Sequence, residues 1–265
     1  MTSTLGNIKV LLAEDNEVNK LLARSILQHW GIESKTAHTG FEALALLEEE
    51  DFDVVLMDIQ MPERNGIEAT QDIRKMADEK KKNIPIIALT ANALRGEEKK
   101  YLAAGMNDYL TKPFKEKELH EVISRVLSKH NSFGGRYESS FGMEEIILPT
   151  VTEKLYDLKL VDELAQGNAD FIRSLIQIFI DTVPSTSKEM VAACEEKNWQ
   201  QTGKLAHKLK STIDTMLIVS AREDIRTIEA NGKNGLQTDQ IPSLIKRVDV
   251  IIERATQQLK EEFSL

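Results

Sequence analysis

Val54-Val55-Leu56-Met57-Asp58-Ile59-Gln60-Met61-Pro62-Glu63-Arg64-Asn65-Gly66 is the stretch from which the fold is read. Four apolar residues stop at Asp58, and a proline-containing turn and a glycine follow. A short run that is apolar at every position predicts a strand covered on both faces, as in a parallel sheet. A carboxylate at the carboxyl end of such a strand lies where open α/β sheets bind ligands. Taken alone, Asp58 reads more often as only a turn former or a helix cap.

The stretches on either side repeat the pattern. Ile8–Ala13 is a second apolar strand and ends in Glu14-Asp15, with Asn16 placed to cap a helix whose apolar face is Val18, Leu21, Leu22 and Ile26. Ser34–His38 is a less apolar strand, as expected near a sheet edge, and Phe41–Glu49 is a helix. After the Met61–Gly66 loop, Ile67–Lys80 has helical periodicity. Ile84–Leu89 is a fourth strand with Thr90 at its end, followed by a helix over Leu94–Ala104. Asp108–Leu110 is a fifth strand, followed by Thr111-Lys112-Pro113 and a last helix, Lys115–Ser128. Strands alternating with helices predict a doubly wound, five-stranded parallel sheet with helices on both faces.

In that topology Glu14, Asp15, Asp58, Thr90 and Lys112 all fall just past strand ends, and those ends converge on one crevice. Three carboxylates side by side repel unless a hard divalent cation resolves them. Mg²⁺ is satisfied by a few carboxylates, waters and a phosphate oxygen. A lysine then pairs with the remaining negative charge as a compact point charge.

Glu14-Asp15, the MDIQMPERNG turn, LTANAL (Leu89–Leu94) and YLTKPF (Tyr109–Phe114) together resemble the receiver domain of two-component response regulators, a flavodoxin-like fold. The resemblance covers roughly residues 6–129. It implies that Asp58 is a phosphoacceptor and that Glu14, Asp15, Asp58 and the backbone carbonyl of Gln60 hold Mg²⁺, or Mn²⁺ in its place. It implies that Thr90 hydrogen-bonds the phosphoryl group, that Lys112 pairs with it across a cis Lys112-Pro113 bond, and that Tyr109 is the switch aromatic. By itself Tyr109 reads as an ordinary half-buried strand aromatic.

From about Lys154 the period is 3.6 throughout. Leu160–Gln166 is a short helix. Asp170–Lys197 is a long one in which Pro184 predicts a break near Thr182–Val183. Asn198 caps the next, where Trp199, Thr202, Ala206, Leu209, Ile213 and Met216 form a stripe. Val219–Ala230 is stopped by Asn231-Gly232, and Ile241–Phe263 closes the chain. Four long amphipathic helices with short turns predict an all-α antiparallel four-helix bundle. The expected division is 1–129, a linker at 130–152 rich in Gly and Ser, and 153–265.

His207 lies off the apolar stripe and is expected to point to solvent, with Lys204 and Lys210 on its face, Lys208 beside it, and a surface of low bulk formed by Gln200, Gly203 and Ser211. A lone surface histidine is ordinarily just solvated. An unprotonated imidazole is also a competent nucleophile toward phosphorus. Ala206-His207-Lys208-Leu209-Lys210-Ser211 is similar to the motif of histidine phosphotransfer domains, a four-helix family. That resemblance implies His207 as a second phosphoacceptor with Lys210 as the basic residue beside it, and Lys204 and Ser211 are expected to support the phosphohistidine from the same face. The family's glycines are replaced here by Ser211 and Leu217, and Ser211 keeps its position small.

The totals narrow the partners. Net charge is −9, with 18 Lys+Arg against 22 Asp+Glu over residues 1–130 and 16 against 21 over 131–265. Neither half has the concentrated basic surface of a nucleic-acid binder. A single cysteine excludes a disulfide framework and fits a cytoplasmic setting. No apolar run is long enough to insert in a membrane. The expected role is a phosphorelay: a histidine kinase donates to Asp58, the group passes to His207, and another receiver domain exchanges with His207. The chain lacks the boxes of an ATP-binding kinase domain, so no self-phosphorylation from ATP is expected. Two other readings are a phosphorylation-controlled interaction module without onward transfer, and the C-terminal part of a hybrid sensor histidine kinase.

Overall fold

The computed structural model describes residues 5, 7–91, 97–128, 154–165 and 167–265. The linker expected over 130–152, the helix start at Leu94 and the helix end at Gln166 lie outside them. The chain divides into two compact units, Met1–Glu138 and Ser139–Leu265.

The first unit is built on five parallel strands: β1 (Lys9–Ala13), β2 (Glu33–Ala37), β3 (Val54–Asp58), β4 (Ile86–Thr90) and β5 (Asp108–Thr111), in the order β2-β1-β3-β4-β5. Every residue of β3 and β4 is buried, which is why these strands read as unbroken apolar runs. β2 alternates exposed and partly buried residues until Ala37, and it lies at the edge, as its composition predicts. Ala13 registers with Met57, and Asp58 with Leu89, so the ends of β1, β3 and β4 finish side by side.

Helices α1 (Glu17–His29), α2 (Gly40–Glu49), α3 (Gly66–Ile73), α4 (Glu79–Lys82), α5 (Glu97–Ala103) and α6 (Glu116–Ser128) connect and follow these strands. Asn16 caps α1 by accepting from the Asn19 amide. Asn65 and Glu68 form a reciprocal capping box at the start of α3. Gly66 is required by close approach: a β-carbon there would stand 2.1 Å from the Asp58 carbonyl oxygen. The single helix expected over Ile67–Lys80 is two. After Ile73 the Arg74 guanidinium donates to the carbonyls of Gly105 and Lys82, and Asp78 caps the one-turn α4. Asp78 Oδ1 accepts from the Lys80 and Lys81 amides, so this side chain starts a separate helix.

The second unit contains α7 (Lys159–Ala165), α8 (Ala169–Glu195), α9 (Trp199–Thr215), α10 (Val219–Asn234) and α11 (Ile241–Phe263). α8 packs on α9 and α11, and α10 packs on the same two, which closes a four-helix bundle. α8 runs through Pro184 without the expected break. Around the proline, Thr182 donates to the Ile178 carbonyl, Ser185 to the Thr182 carbonyl, and Thr186 also to the Thr182 carbonyl. α10 also runs through Asn231-Gly232, where a stop was expected, and ends at Gly235 in the left-handed region.

Gly232 serves packing rather than termination. It meets Gly203 of α9 so closely that a β-carbon on Gly203 would lie 2.8 Å from the Lys233 backbone nitrogen. Gly203→Ala is therefore expected to destabilise the bundle. Overpacking of about 1–3 kcal/mol exceeds the helix-propensity gain of up to about 1 kcal/mol. Chemical denaturation of the two chains checks this, and an unchanged or raised midpoint would contradict it.

Candidate functional site

The crevice past the strand ends is assembled from β1, β3, β4 and the segment after β5. Glu14 is fixed at both oxygens. Oε1 accepts from the Asn16 amide at 3.3 Å and from Asn19 Nδ2 at 3.1 Å, and Oε2 accepts from Lys112 Nζ at 2.9 Å. Lys112 Nζ also donates to Asp58 Oδ2 at 2.7 Å, and the Gln60 amide donates to Asp58 Oδ1 at 3.1 Å. The Lys112-Pro113 bond is cis, as expected. Glu14, Asp15 and Asp58 each offer a carboxylate oxygen, and these atoms lie within 4.8 Å of one another.

The electrostatics follow from burial. Asp58 is 2% exposed. Burial, then the charge of Glu14, pushes its carboxyl up to about 8, against the pull of Lys112. Burial disfavours the Lys112 ammonium, but Asp58 and Glu14 outweigh it and hold the lysine above its ordinary value. The Lys112 ammonium is shared by Glu14 and Asp58, and the carboxylate of Asp15 lies beside them. An all-oxygen donor set of this kind fits a hard divalent cation and has none of the nitrogen or sulfur that zinc selects.

Thr90 is paired with an aromatic that sequence reasoning missed. Its Oγ1 lies 3.0 Å from the hydroxyl of Tyr101 on α5, and Tyr101 is 2% exposed. Tyr109 is only partly buried, and its hydroxyl donates to Glu98 Oε2 at 3.2 Å. Asn19, which orients Glu14, was also missed. Its signal was its place one turn after the Asn16 cap, on the face of α1 turned to the end of β1.

His207 on α9 departs from the solvent-pointing expectation. Its side chain is 12% exposed, and Nδ1 lies 2.6 Å from Glu229 Oε1 of α10. Lys210 is buried rather than on an open face, and its Nζ donates to Glu229 Oε2 at 2.5 Å. Lys233 Nζ donates to Glu229 Oε1 at 2.6 Å. Ser211 is buried, Gly203 is filled by α10, and Lys204 is exposed and outside the Glu229 cluster. The open, low-bulk surface expected around His207 is thus a packed α9–α10 seam. Glu229 and Lys233 belong to a different helix, and nothing local to the histidine motif announces them.

A carboxylate only accepts, so the Nδ1 of His207 carries the proton and Nε2 keeps its lone pair. Burial, with Lys210 and Lys233 adding, lowers His207 to about 4 against the opposing hydrogen bond to Glu229. Burial raises the Glu229 carboxyl, but His207 and Lys210 together hold it well below the usual carboxylate range. The folded value for His207 lies below the ordinary 6.5. Between 6.5 and about 4 the unfolded chain therefore binds the extra proton. The bundle is expected to lose stability as pH falls through that window, and imidazole ¹⁵N shifts should show His207 neutral at pH 6. A fully protonated ring at pH 6 would contradict this.

Among the described residues, no helix is long and apolar enough to cross a membrane. Residues 10–124 match the family model of the response regulator receiver domain. The chain is 27% identical over 241 residues to the signal transduction histidine-protein kinase BarA of Escherichia coli K12, covering 91% of this chain and 26% of that protein. It is 34% identical over 175 residues to the sensor protein GacS of Pseudomonas syringae pv. syringae, covering 65% of this chain and 19% of that protein. The receiver domain of sensor histidine kinase PA1611 from Pseudomonas aeruginosa PAO1, a structure with magnesium coordinated in its active site cleft, is 41% identical. That likeness covers 46% of this chain and 99% of that one, with a TM-score of 0.43. The chain thus spans about a quarter of the length of BarA.

Proposed function

We propose, from the premise that the first unit is a receiver domain of the response-regulator type, that this chain is a phosphorelay intermediate with acceptors at Asp58 and His207. The convergence of Glu14, Asp15 and Asp58 around the Lys112 ammonium carries this reading. Glu14, Asp15, Asp58 and the Gln60 carbonyl are the groups that would hold Mg²⁺. When bound, the ion neutralises carboxylate and phosphoryl charge. An Asp58 oxygen attacks phosphorus on the phosphohistidine of a donor kinase. The O–P bond forms as the N–P bond breaks, and the donor imidazole leaves with the electron pair. Lys112, already on Asp58, spreads the charge of the transferring group. The Thr90 hydroxyl donates to a phosphoryl oxygen once the group is in place.

His207 Nε2 then attacks the Asp58 acyl phosphate, and the carboxylate departs. Glu229 holds the Nδ1 proton while the imidazole becomes cationic, and Lys210 offsets the phosphoryl charge that arrives. The reverse steps return the group, and a second receiver exchanges with His207 by the same chemistry. Helices α7–α11 of the second unit and the sensor-kinase relatives support this setting. The test uses a radiolabelled, phosphorylated kinase. Wild type is expected to carry label on both residues, His207→Gln on Asp58 alone, and Asp58→Asn on neither. Normal labelling of His207 in the Asp58→Asn chain would reject the stated order.

A further inference from the structure

We infer that Tyr101, rather than Tyr109, is the side chain that holds the Thr90 hydroxyl at rest and carries its movement into α5. The inference deepens the proposed receiver function and rests on that reading. Tyr101 and Thr90 each own one hydroxyl proton. Tyr101 donates to Glu97 Oε2 at 3.3 Å, and Lys100 Nζ donates to Glu97 Oε1 at 2.5 Å, which favours the ionised carboxylate. An ionised carboxylate only accepts, so the proton between Tyr101 and Glu97 is the tyrosine's. The proton between Thr90 and Tyr101, across 3.0 Å, is therefore the threonine's.

The consequence is a choice for Thr90. With its proton on the Tyr101 oxygen, it has none to give at Asp58, one strand away. A phosphoryl group there is a charged acceptor and competes strongly for it, because charge-assisted bonds are about twice as strong as neutral ones. When Thr90 turns, the buried Tyr101 oxygen loses its donor. Tyr101 and Glu97 both belong to α5, so the loss falls on that helix. Tyr109 stands outside this chain of bonds, tied to Glu98. Tyr101 is thus a positioning residue that acts through Thr90.

The experiment measures amide exchange over residues 97–103 in the full chain, with and without Mg²⁺ and trifluoroberyllate, a tetrahedral stand-in for the phosphoryl group. Thr90→Val and Tyr101→Phe are each expected to raise resting exchange about fivefold, the effect of one lost hydrogen bond on local opening. The trifluoroberyllate adduct should raise it by a similar factor in wild type and in Tyr109→Phe, and add nothing in Tyr101→Phe. Resting exchange unchanged in Thr90→Val and Tyr101→Phe would overturn the inference. So would a full adduct response in Tyr101→Phe, or a response lost in Tyr109→Phe. Wild type that forms no adduct by ¹⁹F spectra would reject Asp58 as the acceptor, and the two resting variants would still decide the Thr90–Tyr101 link.

Discussion

Lys112→Met is expected to slow phosphorylation of Asp58 by a small-molecule phosphodonor about 10²–10³-fold, the usual effect of deleting one preorganised charge-stabilising group. The ammonium donates to Asp58 Oδ2 and Glu14 Oε2 at once, and both acids are buried. It is therefore the group best placed to meet charge that develops on a phosphoryl oxygen beside Asp58. Removing it leaves Glu14 and Asp58 without the ammonium they share, beside the carboxylate of Asp15. The same variant is therefore expected to bind Mg²⁺ more tightly, since a competing cation has gone. The two effects have opposite signs, which separates a charge role from simple unfolding. A damaged crevice would lose both metal affinity and rate. Calorimetric Mg²⁺ titration beside a phosphorylation time course checks the pair. Weaker Mg²⁺ binding together with a lost rate would reject the assignment.

What was legible in the sequence was what depends on local pattern and topology. Buried parallel strands announce themselves as unbroken apolar runs, and a doubly wound sheet brings their carboxyl ends together. Asp58, Glu14 and Lys112 could therefore be placed on one another although Glu14 and Lys112 are 98 positions apart. The misses share one cause, which is that pairing between helices leaves no periodic signal. A wheel of α9 puts His207 beside the apolar stripe but does not reveal that α10 comes close enough to cover it. Asn231-Gly232 reads as a stop because glycine weakens helices. Here the glycine is what lets α10 approach Gly203. Tyr101 reads as one more helix aromatic until β4 and α5 are seen together. At the break after Ile73 the Arg74 guanidinium reaches the Gly105 carbonyl, a pairing that no local rule predicts.

Glu229→Gln is expected to lower phosphotransfer to His207 by about 10²–10⁴-fold, the range spanned by losing a preorganised electrostatic partner and by misplacing an imidazole proton. In the native seam one carboxylate serves three donors: His207 Nδ1 and Lys233 on Oε1, and Lys210 on Oε2. The amide keeps the shape but halves the accepting atoms and removes the charge. Its NH₂ end then faces a lysine or the ring nitrogen. If the NH₂ meets Nδ1, the imidazole proton moves to Nε2 and the nucleophilic nitrogen is lost. The two lysines also lose the anion that compensates them, so burial and mutual repulsion act on both. The imidazole becomes harder to charge, and an attacking imidazole must become cationic. Single-turnover transfer from phosphorylated Asp58, read beside ¹⁵N spectra of the His207 ring, tests this. Wild type should show the proton on Nδ1 alone, and the variant should show it on Nε2 or divided between the two. Transfer at the native rate with the native tautomer would mean that Glu229 only packs α10 against α9.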